Sequence, residues 1–404
     1  MKIGIVTNLY PPHARGGAEN VIVRIVEQLL AMGHDVFVVT GQPKAKGVAV
    51  EIGTTSIERI YRFFPKNIYF TLDDYRYSWP FRLLWHVTDA FSRSGSNAVA
   101  QILADEKPDI VLTNNLKGIG LRIPEVIQAM HIPHVHILHD LQLVTPSGLR
   151  MFGYEKERWF TKPVHIAYRM ICRARMGKPS LVLSPSQYLL DEYQRAGFFQ
   201  HTDVRCMPNP SPSAITVFRD SHRSGPLRLL FVGQLALHKG IAFLLNAFAK
   251  FDGDIRLHIA GGGQMRAMVE ERVAHDKRIV YLGYTPPEEL AKCMIAVDAV
   301  VVPSLCYENS PTVIYESLSV GVPLVASRIG GVGELIQHEK TGFLFTPGDE
   351  QDFLRVLQVL DAQKDDFATR SAHIRGTVAP YEITKYTERL VALLTETIAR
   401  YSRR

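Results

Sequence analysis

No stretch of about 18 consecutive apolar residues occurs in the sequence, which excludes a membrane-spanning helix. The opening residues, MKIGIVTNLYPP, hold only a short apolar run, interrupted at Asn8 and Pro11, so they do not read as a signal peptide. Cysteine is scarce. Cys172, Cys206, Cys293 and Cys306 lie far apart and form no CxxC pair, the usage of a reduced cytoplasmic chain with buried thiols. A GxGxxG fingerprint after the first strand is also missing. Residues 8–17, NLYPPHARGG, do not supply it, which argues against a nicotinamide-dependent oxidoreductase. Charge is not spread over the chain. Of the net +6, residues 155–178 carry +5 through Lys156, Arg158, Lys162, Arg169, Arg173, Arg175 and Lys178 against Glu155 and Glu157. One anionic partner surface fits that pattern; a nucleic-acid coat does not.

What is present is a rhythm of strands and helices in a chain long enough for two domains. Residues 2–7 and 36–40 read as buried strands around a helix at 18–32, whose apolar positions Val21, Ile25, Leu29 and Leu30 have helical spacing and whose end is marked by Gly33. This β-α-β unit implies a parallel sheet. Strands are expected again at 109–113, 134–138 and 181–184. Residues 207–226 then hold four prolines and read as a linker, set at 209–226. The rhythm resumes with strands at 227–232, 255–260, 279–282, 298–302 and 323–326 and a helix at 240–250. The expected organisation is a Rossmann-like domain over 1–208, a second over 227–378, and a C-terminal segment, 379–404, holding an amphipathic helix over 382–402.

The chemistry-bearing residues gather after strands of the second half, where open α/β sheets bind ligands. Pro311 stands at the start of a helix over about 312–319, so in 310–312 the N–H groups of Ser310 and Thr312 are free to bind a phosphate. Glu308 lies just before this helix end and Glu316 one turn inside it. FVGQLALHKG, residues 231–240, places Gly233 after a strand and Lys239 before a helix, where a lysine can neutralise a diphosphate. IAGGGQM (259–265) and GGVGE (330–334) are glycine-rich loops at equivalent strand ends.

These motifs, in this order, resemble the family 4 retaining glycosyltransferases (glycosyl transferases group 1), together with PPHARGGAE at 11–19 and ILHD at 137–140. The resemblance covers nearly the whole chain. It implies a GT-B fold of the α/β class, two Rossmann-like doubly wound parallel-sheet domains facing across a cleft, with the C-terminal helix packed back on the first domain. It also implies a retaining, metal-independent hexosyltransferase in cell-surface glycan, glycolipid or polysaccharide synthesis. The donor would be a UDP- or GDP-sugar and the acceptor a glycan or lipid-linked hydroxyl; no further cofactor is expected. By the same resemblance, His139, Glu308 and Lys239 would be catalytic. Gly16, Gly17, Gly233, Gln234, Gly262, Tyr284, Asn309, Ser310, Pro311, Thr312 and Glu316 would join Lys239 and Glu308 in holding the donor. Gln234 stands where the family often has arginine, so Arg15 or Arg328 would have to supply a second cation. A non-catalytic sugar-nucleotide or glycan-binding module on the same fold is the alternative, and a GT-B epimerase or phosphorylase a further one.

Other clusters read as structural. His131, His134, His136 and His139 fall together, with His134 and His136 on one strand face, but no Cys or Glu completes a zinc site. Asp252 and Asp254 spell DxD at a helix-to-strand turn, on the wrong end of the sheet for a metal. In the basic segment, Lys162, His165, Arg169 and Arg173 line one helix side and Val164, Tyr168 and Ile171 the other, the pattern of a helix meeting a peripheral anionic membrane surface. Eleven aromatics lie within 61–91, available for packing, sugar stacking or lipid.

Overall fold

The computed structural model describes residues 1–14, 16–44, 48–52, 59–154, 162–211 and 225–403. They form two compact units. The first comprises 1–149, 157–208 and 383–404, the second 150–156 and 209–382.

Strands of the first unit are β1 (Lys2–Thr7), β2 (Asp35–Gly41), β3 (Val48–Ile52), β4 (Arg59–Phe63), β5 (Ile110–Thr113), β6 (His134–Ile137), β7 (Leu181–Ser184) and β8 (Asp203–Cys206). Its helices are α1 (Gly17–Ala31), α2 (Trp79–Phe91), α3 (Ser94–Glu106), α4 (Ile123–Ala129), α5 (Lys162–Met176) and α6 (Gln187–Arg195). The sheet runs β3-β4-β2-β1-β5-β6-β7-β8 and is parallel except for the β3–β4 pair. Neighbouring strand residues feed opposite faces. Val36 and Val38 enter one core with α1, while Phe37 and Val39 enter the other.

The second unit holds β9 (Leu227–Val232), β10 (Ile255–Ala260), β11 (Ile279–Gly283), β12 (Ala299–Val302), β13 (Leu324–Ser327) and β14 (Gly342–Phe345), all parallel, in the order β11-β10-β9-β12-β13-β14. Its helices are α7 (Ile241–Phe248), α8 (Arg266–His275), α9 (Pro287–Ile295), α10 (Thr312–Ser319), α11 (Val332–Leu335), α12 (Glu350–Thr369) and α13 (Ser371–Gly376). The last helix, α14 (Ile383–Tyr401), belongs to the first unit. Leu390 and Leu394 are fully buried in the core around α1, about 2 kcal/mol of apolar burial each.

Several expectations are corrected here. The second unit begins at Asn209, whose side-chain amide donates to the Ser310 carbonyl at 3.0 Å, and Ser211 N–H donates to Tyr381 O at 2.8 Å. Residues 209–211 are therefore part of that unit and not of a linker; 212–224 lie outside the described residues. Residues 150–154 also cluster with the second unit. Phe152 N–H donates to Leu305 O at 2.8 Å and Tyr307 N–H to Arg150 O at 2.9 Å, extending the loop after β12 by a short antiparallel contact. The first unit resumes at Ile383, with the helix expected over 382–402, and residues 379–382 stay with the second unit. Strands β3, β4, β8 and β14 had no clear periodicity. Of the thiols, Cys172 and Cys306 are buried, but Cys206 and Cys293 are only half-buried, and all four are free. No helix among the described residues is long and apolar enough to cross a membrane.

Candidate functional site

In the second sheet the chain reverses direction of travel between β9 and β12, which lie side by side although three strands apart in sequence. The loops leaving these strands diverge at such a point and open a crevice. The β9 loop carries Gly233, Gln234 and Lys239; the β12 loop carries Ser304, Glu308, Asn309 and Ser310. A small pocket between them is lined by Gly233, Lys239, Ser304, Glu308, Pro311 and Val313.

Lys239 Nζ lies 2.5 Å from Glu308 Oε1, and Ser304 Oγ donates to the same oxygen at 2.9 Å. Burial alone would push the Glu308 carboxyl up. The Lys239 charge and hydrogen bond, with help from Ser304, outweigh it and hold the group below the usual carboxylate range. Burial likewise works against the Lys239 ammonium, but Glu308 overcomes it and raises its pKa. The pair is thus ionised throughout the neutral range. Nearby Cys306 is pushed up to about 12, chiefly by burial and then by Glu308, so it is a neutral thiol.

The flanking loops are fixed by backbone contacts. Gly330, at φ +57°, sits so close to Glu308 that a Cβ would collide with its carbonyl oxygen, and Gly331 N–H donates to that oxygen at 2.8 Å. Beyond β10, Leu235 N–H donates to Gly262 O at 2.8 Å and Met265 N–H to Leu235 O at 2.9 Å. Gly261, at φ +136°, abuts the Gly233 carbonyl with no room for a side chain. Gly262, expected among the donor-binding residues, has open space where a Cβ would stand. Gln234 and Arg328 are exposed, and Arg15 lies outside the described residues. Tyr284, just past β11, is 84% exposed.

Pro311 is the N-cap residue of α10, and Thr312 opens the helix. Ser310, buried, shares a 2.7 Å hydrogen bond with the Tyr315 hydroxyl. This bond anchors the turn whose first-turn amides have no partner four residues earlier within the helix. Glu316 is half-buried in the second turn of α10, and its carbonyl accepts from Ser319 Oγ.

The first unit has its own reversal, between β1 and β5. Gly16 and Gly17 open α1 after β1. Gly16 N–H donates to Glu19 Oε2 at 2.8 Å, so a carboxylate of the chain already occupies one amide at this helix start. After β6, half-buried His139 reaches Asn114 Oδ1 from Nε2 at 3.1 Å. Desolvation lowers the His139 pKa to about 4, leaving a neutral imidazole. Burial raises the neighbouring Asp140 to about 6 despite the Gln142 amide on its Oδ1. Asn114 and Ser304 were not singled out by sequence reasoning; each is a small polar residue just past an apolar strand, a weak signal.

The remaining clusters resolve structurally. His134 and His136 are buried and both bond to Thr113 Oγ1, at 2.7 and 2.8 Å. Asp252 and Asp254 are exposed at the turn leading into β10. In α5, Tyr168, Cys172 and Met176 are buried; Val164, expected on the covered side with Tyr168, is 53% exposed. Lys156 and Arg158 lie outside the described residues.

The family model described as Glycosyltransferase Family 4 matches residues 15–211, and that described as Glycosyl transferases group 1 matches 226–361. An uncharacterised 42.6 kDa protein in the cps region of Klebsiella pneumoniae is 28% identical over 337 residues, covering 83% of this chain and 87% of that protein. Sucrose-phosphate synthase from Thermosynechococcus elongatus is similar in structure at TM-score 0.76 and 19% identity, over 99% of each chain. Anabaena HepE in complex with UDP is similar at TM-score 0.71 and 18% identity, over 98% of this chain and 100% of that one. The fold is thereby GT-B.

Proposed function

This chain belongs to the family 4, group 1 glycosyltransferases, and on that premise we propose that it transfers a hexosyl group from a nucleoside-diphosphate sugar to an acceptor hydroxyl with retention of configuration. The observation that carries the reading is the Lys239–Glu308–Ser304 cluster at the β9/β12 reversal, beside the start of α10.

In the reaction the bond from the anomeric carbon to the phosphate oxygen breaks, and a bond from that carbon to the acceptor oxygen forms on the same face. The acceptor proton goes to the departing phosphate. Lys239 and the first-turn amides of α10 stabilise the charge that develops on the diphosphate, a preorganised electrostatic effect. Glu308, ionised and oriented by two donors, accepts from donor-sugar hydroxyls. Glu316 accepts from the ribose hydroxyls. Neutral His139, oriented by Asn114, serves the reaction as a hydrogen-bonding group and adds no charge. No step requires a metal, because Lys239 and the helix start supply the positive field. UDP is the favoured base carrier on the strength of the HepE complex, with GDP the second choice. The relative in the cps region supports a role in polysaccharide or glycolipid synthesis.

The reading is tested by incubating the chain with UDP- and GDP-sugars and a panel of acceptors. Release of nucleoside diphosphate is followed, and the product's anomeric configuration is determined by NMR. Net retention is expected. Inversion, or binding of donors with no release under any acceptor, would replace a retaining transferase with an inverting one or with a binding module.

A further inference from the structure

Helix α2 is apolar on both sides. Trp85 and Ala90 turn inward with Asp89, yet Leu84, Val87 and Phe91, spaced i, i+3, i+7 on the opposite side, are 55%, 47% and 49% exposed. Trp79 at the helix start is 76% exposed and Phe81 52%. Helix α5 packs alongside: His86 meets the Tyr168 ring edge-on at 6.1 Å, and the Arg175 guanidinium lies 5.3 Å from the Phe91 ring. It adds exposed Met170 to the apolar surface. Exposed apolar groups in this concentration mark a docking surface.

The charge around it selects the occupant. Arg82 on α2 and Lys162, Arg169 and Arg173 on α5 give these two helices a cationic surface, whereas the one acid of both helices, Asp89, is buried. A second copy of the chain docking face to face would bring these cations against one another. An anionic bilayer interface satisfies both features, because it receives apolar side chains between headgroups and attracts the surrounding cations. We propose that the paired α2–α5 surface seats the protein on an anionic lipid membrane, with Trp79, Leu84 and Val87 entering the interface and Arg169 and Arg173 held at the headgroups.

The full chain is tested by co-sedimentation with phosphatidylcholine vesicles with and without phosphatidylglycerol. Binding is expected only to the anionic vesicles and should weaken in high salt as screening shortens the reach of the cations. Trp79→Asp/Leu84→Asp and Arg169→Glu/Arg173→Glu should each lower partitioning by about tenfold or more, the first by lost apolar burial and the second by lost attraction. The blue shift of tryptophan emission on anionic vesicles should shrink in Trp79→Phe. Nucleotide-induced stabilisation, measured in the same variants, should match the wild type, which verifies their folding and separates this surface from donor binding. Failure of the wild type to bind anionic vesicles overturns the proposal, as does binding unchanged in both double variants. Conversion of a dimer to a monomer by Trp79→Asp/Leu84→Asp, with vesicle binding unaltered, assigns the surface to a second copy instead.

Discussion

Lys239 and Glu308, 69 residues apart in sequence, meet at 2.5 Å because the strands preceding them, β9 and β12, are neighbours at the point where the sheet reverses. The pair ties the loop after β9 to the loop after β12 within one unit. In the Glu308→Gln variant the carboxylate is lost and Lys239 keeps only a neutral partner. Turnover should fall by about 10²–10³-fold, the scale of losing one oriented electrostatic group. Nucleoside diphosphate affinity should change little. Steady-state kinetics beside calorimetric UDP titration separates the two effects.

Lys239→Ala should act the other way. Removing one charge-assisted contact to a diphosphate costs about 1.5–3 kcal/mol, so UDP and donor affinities should each weaken by about ten- to a hundredfold. A nucleoside lacking phosphate should bind the variant as it binds the wild type. Equal weakening of the nucleoside would mean that the substitution had disturbed the fold of the loop.

Much of this site was legible before any coordinates, and the reason is local. Gly233, Pro311 and the carboxylates at 308 and 316 are read in sequence order, and the structure places them on the loops after β9 and β12 and in α10. The bonds between loops were not legible. Nothing in the sequence links Ser304 to Glu308 rather than to solvent, or Gly261 rather than Gly262 to the Gly233 carbonyl, since both depend on loop backbone geometry. The edge strands β3 and β8, and β4 beside β3, escaped because they lack the continuous apolar runs of central parallel strands. Residues 150–154, which pair with the loop after β12, carry only Gly153 as a turn signal and nothing that points to that partner.

Gly330→Ala tests that loop geometry. The added methyl must displace the Glu308 backbone or leave a left-handed conformation that L-residues resist. Donor turnover should drop by about tenfold or more, on the scale of a misplaced reacting group. A methyl that left kinetics unchanged would show that Glu308 is not held by this loop.

The pH dependence follows from His139. Its folded pKa, about 4, lies below the value near 6.5 of an unfolded histidine. The unfolded chain therefore takes up this proton first as pH falls. The residue's contribution to stability is present above about pH 6.5 and is lost as pH drops towards 4. Relative to His139→Gln, the wild type should lose stability across that window, as read by denaturant titration at several pH values. Turnover of His139→Gln should be lower, yet no limb near pH 6.5 should vanish with the substitution, because the imidazole is neutral there already.

The central claim is that the β9/β12 loops and the start of α10 bind a nucleoside diphosphate. The most direct measurement is thermal unfolding of the wild type and Lys239→Ala against UDP, GDP, ADP and their sugars. A bound ligand at a hundredfold excess over its Kd adds about 2.7 kcal/mol of stability, so one nucleotide series should raise the wild-type Tm clearly and the variant's far less. No shift with any nucleoside diphosphate or its sugar, or an equal shift in wild type and Lys239→Ala, would contradict the account.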